Sequence, residues 1–373
     1  MHFIDEYRAP EQVMALIAHV QNRARFLTHT AQKPLRIMEV CGGHTHAIFK
    51  FGLDQLLPEN IEFIHGPGCP VCVLPMGRID ACIDIASHPE VIFCTFGDAM
   101  RVPGKQGSLT QAKARGADIR IVYSPRDALA LARLHPQRKV VFFGLGFETT
   151  MPATAITLQQ AKVQKVDNFF FFCQHITLIP TLQSLLEQPD NEIDAFLAPG
   201  HVSMVIGTTA YTFIAERYKR PIVVAGFEPL DLLQGVSMLI EQKIADLSQI
   251  ENQYRRVVPD CGNRRAQEAI GEVFMVNGDS EWRGLGLIAD SGVHLTPDYQ
   301  QFDAESHFRP APQSVSDDPR ACCGKVLTGR CKPHQCPLFG TTCTPQSAFG
   351  ALMVSSEGAC AAWYQYRRQE HGA

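Results

Sequence analysis

Cysteine is the residue through which this chain can do chemistry. There are thirteen of them among 373 residues, and they sit in settings that ask for different explanations. The first is Cys41, in Glu39-Val-Cys41-Gly-Gly-His44-Thr-His46. It follows directly on the apolar run Leu35–Val40, which places the thiol at the carboxyl end of a strand, the edge where open α/β sheets bind ligands. The two glycines permit close approach to the backbone, and the histidines offer bases or metal ligands. A buried filler thiol is the plain alternative; the density of glycine and histidine weighs against it.

The second setting is His65-Gly-Pro-Gly-Cys69-Pro-Val-Cys72-Val-Leu-Pro. In a reducing compartment Cys-x-x-Cys reads as a redox pair or as half a metal site. It follows a strand and precedes the helical pattern Met76–Ala86, a thioredoxin-like placement that predicts a first thiol near a helix N-terminus, with its pKa lowered. There is no second Cys-x-x-Cys, which argues against a zinc ribbon.

The third setting is a C-terminal segment, Cys322-Cys323-Gly-Lys-Val-Leu-Thr-Gly-Arg-Cys331-Lys-Pro-His-Gln-Cys336-Pro-Leu-Phe-Gly-Thr-Thr-Cys343, followed by Cys360. Six thiols fall within 39 positions, separated by glycine and proline that let the backbone wrap around a point. Iron–sulfur clusters are held by four thiolates, and Cys-Pro is common at such sites. Structural zinc is the rival, but it favours tight Cys-x2–4-Cys pairs. The spacing C-x12-C-x6-C-x16-C, counted from Cys323, suits a cluster better. Six candidates for four places leave a choice that spacing does not settle. The remaining thiols look different: Cys82 lies on a helical apolar face and Cys94 and Cys173 lie inside strands, which is packing, while Cys261 is a loop residue without an evident role.

The elements that position these groups are short apolar runs ending in Gly, Pro or polar turns: Leu35–Val40, Ile61–His65, Val91–Phe96, Ile119–Tyr123, Val140–Leu145, Asn168–Cys173, Ala195–Ala198 and Pro221–Ala225. Most are rich in Val, Ile and Phe without strict alternation, as strands buried on both faces should be. Helical patterns alternate with them. Pro10 to about Phe26 opens the chain, Ser124-Pro125 reads as an N-cap with proline at N1, and Ser203–Tyr218 and Pro229–Ile244 carry long apolar faces. This alternation predicts an α/β fold with parallel sheets. Ile37–His46 and Val141–Thr150 both run from a strand into a glycine-rich turn, a faint duplication that predicts two similar α/β domains, 30–138 and 139–260. One large sheet is the alternative. Beyond residue 260 the texture changes, and Phe302–Thr344 is too poor in apolar runs to hold itself together; 261–373 therefore reads as a cysteine-rich, cluster-bearing domain. Loops Phe96–Lys105, Gly146–Thr150 and Ala198–His201 also follow strands, and either line the same cleft or are ordinary turns.

Composition removes several function classes. Hydrophobic residues make up 45% and charged residues 19%, an ordinary globular balance. The net charge of −4, with no basic block, speaks against nucleic-acid binding. No stretch approaches the ~20 apolar residues that cross a bilayer, and the N-terminus has acidic residues where a signal peptide is basic; the expectation is a cytoplasmic protein without a membrane partner. No Gly-x-x-x-x-Gly-Lys-Ser/Thr loop is present, so a nucleotide step belongs to a partner.

Taken together, Cys-Gly-Gly-His-Thr-His, Gly-Pro-Gly-Cys-Pro-Val-Cys, Phe-Gly-Asp-Ala-Met-Arg-Val-Pro-Gly, Gly-Phe-Glu-Thr-Thr, Ala-Pro-Gly-His-Val, Glu-Trp-Arg-Gly-Leu-Gly and Val-Ser-Ser-Glu-Gly-Ala-Cys make a set that resembles the HypD family over nearly the whole chain. The resemblance implies a NiFe-hydrogenase maturation factor: two related α/β domains, a third domain built from both chain ends with residues 1–29 packed on it, and a 4Fe-4S cluster. It implies a HypC-type small chaperone as partner, a HypE-type cyanide donor, and the hydrogenase large subunit reached through HypC. On an iron held between the partners, carbon monoxide and two cyanides are assembled. Carried over by motif, Cys41 is the thiolate ligand to that iron, Cys69 and Cys72 are the redox pair, and Cys323, Cys336, Cys343 and Cys360 hold the cluster. Cys322 and Cys331 fall outside the pattern. His44 and His46 could hydrogen-bond the cyanide nitrogens. The competing reading is a stand-alone 4Fe-4S disulfide oxidoreductase acting through Cys69 and Cys72, which has no need of Cys41. A cysteine hydrolase built on Cys41 and His44 leaves both the cluster and the pair without a task.

Overall fold

A computed structural model describes residues 5–311 and 318–367. Residues 1–4, 312–317 and 368–373, parts of the terminal segments assigned above, lie outside the described residues. Two wholly parallel sheets organise the chain. The first holds β1 (Leu35–Glu39), β2 (Ile61–His65), β7 (Ala195–Pro199), β8 (Ile222–Ala225) and β9 (Ile250–Asn252) in the order β2-β1-β7-β8-β9. The second holds β3 (Val91–Thr95), β4 (Ile119–Ile121), β5 (Lys139–Gly146) and β6 (Phe169–His175) in the order β4-β3-β5-β6. Nearly every residue of β3 and β5 is buried, which is what strands covered on both faces require.

The sheets do not divide at residue 138. The chain builds β1 and β2, leaves to complete the whole four-stranded sheet, and returns at β7, so that the second sheet is an insertion into the first. The faces of the two sheets that meet share a core, with Met38, Val40 and Ile64 from one and Phe93, Phe143 and Phe172 from the other. Residues after 260 divide as well. Val273, Phe274, Val293, Tyr299 and Phe302 cover the outer face of the second sheet beside Phe142 and Phe171. Val326, Leu327, Leu352 and Met353 join the core between the sheets.

The helices follow their sequence signals. Ser124 accepts the Arg126 amide and opens Pro125–Leu134. Ser203–Tyr218 is not one helix: Gly200–Ile206 stops at Gly207, whose φ of 82° leaves the helical region, and short turns follow. The first helix, Pro10–Ala24, buries Ile17, Val20 and Ala24 with Leu232, Val236 and Leu239 of Pro229–Ile244, so its apolar face is covered by the first sheet's layer and not by the cysteine-rich segment.

Candidate functional site

The carboxyl edge of β1 is where the site begins. β1 ends in Glu39, a carboxylate with no solvent exposure directly after the apolar Ile37 and Met38. Burying it is tolerable only because donors surround it. Its Oε2 accepts the Cys41 amide at 3.0 Å, and its Oε1 accepts the Thr45 hydroxyl and faces His65 Nδ1 at 2.8 Å. Strand register explains the last contact, since Glu39 and His65 are direct partners in the β1–β2 ladder.

Cys41 then takes extended backbone geometry and caps the helix Gly42–Lys50. Its sulfur is faced by the amides of His44 and Gly43, which favour thiolate, but burial outweighs them, with the carboxylates of Glu39 and Glu357 acting in the same sense as burial, and the pKa is pushed up to about 12. A thiol so placed keeps its proton at neutral pH. His44 is fully buried, its ring 5.0 Å from Phe227. Burial lowers its pKa, so it is neutral, and Nε2 lies 3.3 Å from the Ala225 carbonyl oxygen. A carbonyl only accepts, so the proton is on Nε2 and the unpartnered Nδ1 is a bare acceptor. His46 points the other way, with Nδ1 3.1 Å from the Ser356 carbonyl oxygen.

The dithiol lies beside this turn. Gly66 donates to the Glu39 carbonyl at 2.8 Å and Gly42 donates to the Gly68 carbonyl at 3.2 Å, zipping the two loops together. Cys69 and Cys72 are buried, with sulfurs 2.7 Å apart. The helix starts at Met76, as the pattern places it, but seven residues beyond Cys69, so the first thiol does not sit at its N-terminus; at Cys72, burial, followed by the neighbouring Cys69, raises the pKa.

A strap from the C-terminal segment closes over both thiol sites. Arg101 donates to the Val354 carbonyl at 2.8 Å and Ser355 donates to Asp98 at 3.2 Å, giving the Phe96–Lys105 loop a task as an anchor. Glu357 presses on Gly42, where an added Cβ would stand 2.7 Å from its Oε2, and a Cβ on Gly358 would stand 3.1 Å from Cys72 Sγ. Burial raises the Glu357 pKa.

Two residues past Gly358 comes Cys360. It lines one small cavity with Cys323, Cys336 and Cys343, among Leu338, Phe349, Leu352 and Met353. The amides of Phe349 and Gly350 point at Cys343 Sγ from 3.4 and 3.5 Å, and a Cβ on Gly350 would collide with Cys323 Sγ. Cys322 and Cys331 do not line this cavity; Cys331 opens instead on a separate one with Arg36, Glu62 and Lys332. Among the described residues no three His, Cys, Asp or Glu converge tightly enough to hold a single ion; the four thiols stand around a space. Cys82 and Cys94 are wholly buried in the cores, as their apolar settings predict, and Cys261 is exposed.

Sequence reasoning passed over Glu39, Glu357 and Phe227. A lone carboxylate in the apolar run Leu35–Val40 was the available signal for Glu39; the other two reach the site only through the fold. Among the described residues no helix is long and apolar enough to cross a membrane.

Comparison with known proteins gives a consistent result. The profile of the family described as "HypD: Hydrogenase formation hypA family" matches residues 12–367. Over 373 residues, all of both chains, the sequence is 81% identical to hydrogenase maturation factor HypD of Escherichia coli (strain K12). It is 55% identical over 370 residues to hydrogenase maturation factor HypD of Rhodobacter capsulatus, covering 98% of each chain. It is 48% identical over 375 residues to HypD2 of Bradyrhizobium diazoefficiens, covering 99% of this chain and 97% of that one.

Proposed function

Because the chain belongs to the HypD family of hydrogenase maturation factors, we propose that it is a redox-active scaffold on which an iron bearing two cyanides and a carbon monoxide is assembled for the hydrogenase. A HypC-type small chaperone shares the iron, a HypE-type donor supplies cyanide, and the hydrogenase large subunit receives the product through the chaperone. One observation carries this reading: Cys41 stands at the carboxyl edge of a parallel sheet, with the dithiol loop on one side and the strap leading to the cysteine-lined cavity on the other.

The division of labour follows from the side chains. Cys41 is the ligand for the cargo iron; thiolate is a soft, strongly donating ligand that suits iron bearing cyanide and carbon monoxide. Glu39 holds the Cys41 amide in place. Cys69 and Cys72 interconvert as dithiol and disulfide, the disulfide form requiring the loss of two electrons and two protons. Cys323, Cys336, Cys343 and Cys360 would hold a 4Fe-4S cluster, which when bound supplies one-electron transfer. The fit is favourable: four soft donors around one apolar cavity, two amides aimed at a sulfur, and a glycine that leaves room for another.

Anaerobic co-purification with the small partner, followed by infrared spectroscopy of the cyanide and carbonyl stretches, tests the scaffold. Bands are expected in the wild type and in Cys82→Ala, and none in Cys41→Ala. An empty window in wild-type complex with an intact cluster chromophore sinks the scaffold and leaves the disulfide oxidoreductase. The cluster itself has a separate readout. Cys343→Ala is expected to lose the visible iron–sulfur absorbance and most bound iron and sulfide, whereas Cys261→Ala keeps both; retention in Cys343→Ala removes that ligand from the set.

A further inference from the structure

Three loops leave the carboxyl edge of the first sheet side by side, after β1, β7 and β8. Glu39 is in register with Leu197, which sets Cys41 level with Pro199, two residues before His201. The β8 loop brings Phe227. His201 is exposed, and its ring stacks on Phe227 at a centroid distance of 4.0 Å and an angle of 26°. Phe227 in turn covers the Cys41 turn: a Cβ on Gly43 would stand 3.0 Å from its ring and 3.6 Å from Cys41 Sγ.

The backbone is packed to put the imidazole there. A Cβ on Gly200 would meet the Ala225 carbonyl oxygen at 2.7 Å and the Tyr254 ring at 2.8 Å, so the loop sits on β8 at a distance only glycine allows. Partial burial lowers the His201 pKa, leaving a neutral ring with one N–H donor and one acceptor. Neither nitrogen has a hydrogen-bond partner among the described residues, although the ring is held in place by stacking. An exposed ring held by stacking, with an N–H that a ligand can take over from water, thus stands at the ligand-binding edge of the sheet. His44 cannot fill that role, because its only N–H faces the Ala225 carbonyl.

We propose that His201 is a cyanide-binding residue, donating its ring N–H to the nitrogen of a cyanide on the iron held by Cys41. This rests on the scaffold reading. The Phe227 ring, shared by the Cys41 turn and by His201, fixes the imidazole relative to the thiolate, and the selectivity is chemical: a metal-bound cyanide offers a basic nitrogen at its outer end and carbon monoxide offers a poor acceptor.

Infrared spectra of the wild type, His201→Ala and His201→Gln, each co-purified with the small partner, test it. Hydrogen bonding at nitrogen stiffens a bound cyanide, so His201→Ala is expected to move one cyanide band to lower frequency, lower cyanide occupancy several-fold, and leave the carbonyl band and the cluster absorbance in place. His201→Gln, which keeps a donor, is expected to restore most of the band position. Wild-type bands with unchanged frequency and intensity in His201→Ala overturn the inference alone. Loss of every band in His201→Ala overturns it as well, since a single hydrogen bond does not hold the iron. Absence of bands in the wild type overturns the scaffold itself.

Discussion

Glu39→Ala is expected to destabilise the protein by about 3–5 kcal/mol and to empty Cys41 of iron, because removing one member of a buried polar set strands the rest. The carboxylate has no exposure and serves three donors, the Cys41 amide, the Thr45 hydroxyl and His65 Nδ1. Alanine leaves the Cys41 amide and His65 Nδ1 without that acceptor and Thr45 with only a long bond to the Cys41 carbonyl at 3.4 Å. The amide matters most for function, since its bond to Glu39 fixes the extended residue from which the thiol projects. Glu39→Gln keeps the volume and one acceptor oxygen, but its amide nitrogen cannot accept, so one of the three donors loses its acceptor; an intermediate loss is expected. His65→Ala leaves the carboxylate with its other two donors and is expected to cost less than Glu39→Ala. Urea unfolding monitored by circular dichroism, together with iron content after co-purification, checks the series. An unfolding midpoint for Glu39→Ala equal to the wild type's shows that the network does not hold the turn.

Much of this arrangement was legible in the chain, and the illegible part has a physical cause. Ile61–His65, Met76–Ala86 and Pro229–Ile244 appear where apolar pattern and punctuation place them, because strand and helix are decided by near neighbours. The Cys41 turn and the dithiol were equally visible, since each is a contiguous motif. What the sequence does not carry is the partner of each strand. All nine strands of the two sheets are short, and most are rich in the same apolar residues, so nothing local says that β2 is followed by a change of sheet or that β7 returns to β1. The faint duplication therefore suggested a cut at 138, where the fold has an insertion. The same limit hid Glu357 and Phe227, which reach Gly42 and Gly43 across long chain separations. The helix after the dithiol begins at Met76, where the pattern places it, and with Pro75 at its N-cap the first thiol, Cys69, is left upstream of the first turn.

Gly68 is the position where the least added matter is expected to do the most harm. A Cβ there would lie inside contact distance of the Cys41 nitrogen and the Val40 carbonyl carbon and oxygen, all of them backbone. Backbone in a ladder cannot swing aside as a side chain does: Val40 is tied by its own amide to Leu197 at 3.3 Å, and Gly42 is tied to Gly68 itself. Gly68→Ala must therefore part the dithiol loop from the Cys41 turn, at a cost of about 3 kcal/mol or more, the upper end of what overpacking exacts. Separation of the loops has a readout beyond stability, because Cys69 and Cys72 are nearly inaccessible in the native fold: alkylation of both by a small maleimide is expected to speed up many-fold at temperatures well below unfolding. Gly271→Ala is the matching control. Gly271 lies in the helix Arg264–Val273 with nothing within 4 Å of its added methyl, and alanine there is expected to stabilise by about 0.5–1 kcal/mol. If Gly68→Ala unfolds at the wild-type midpoint with its thiols still protected, the two loops are not held together by backbone contact, and the shared site they form must be maintained by the strap alone.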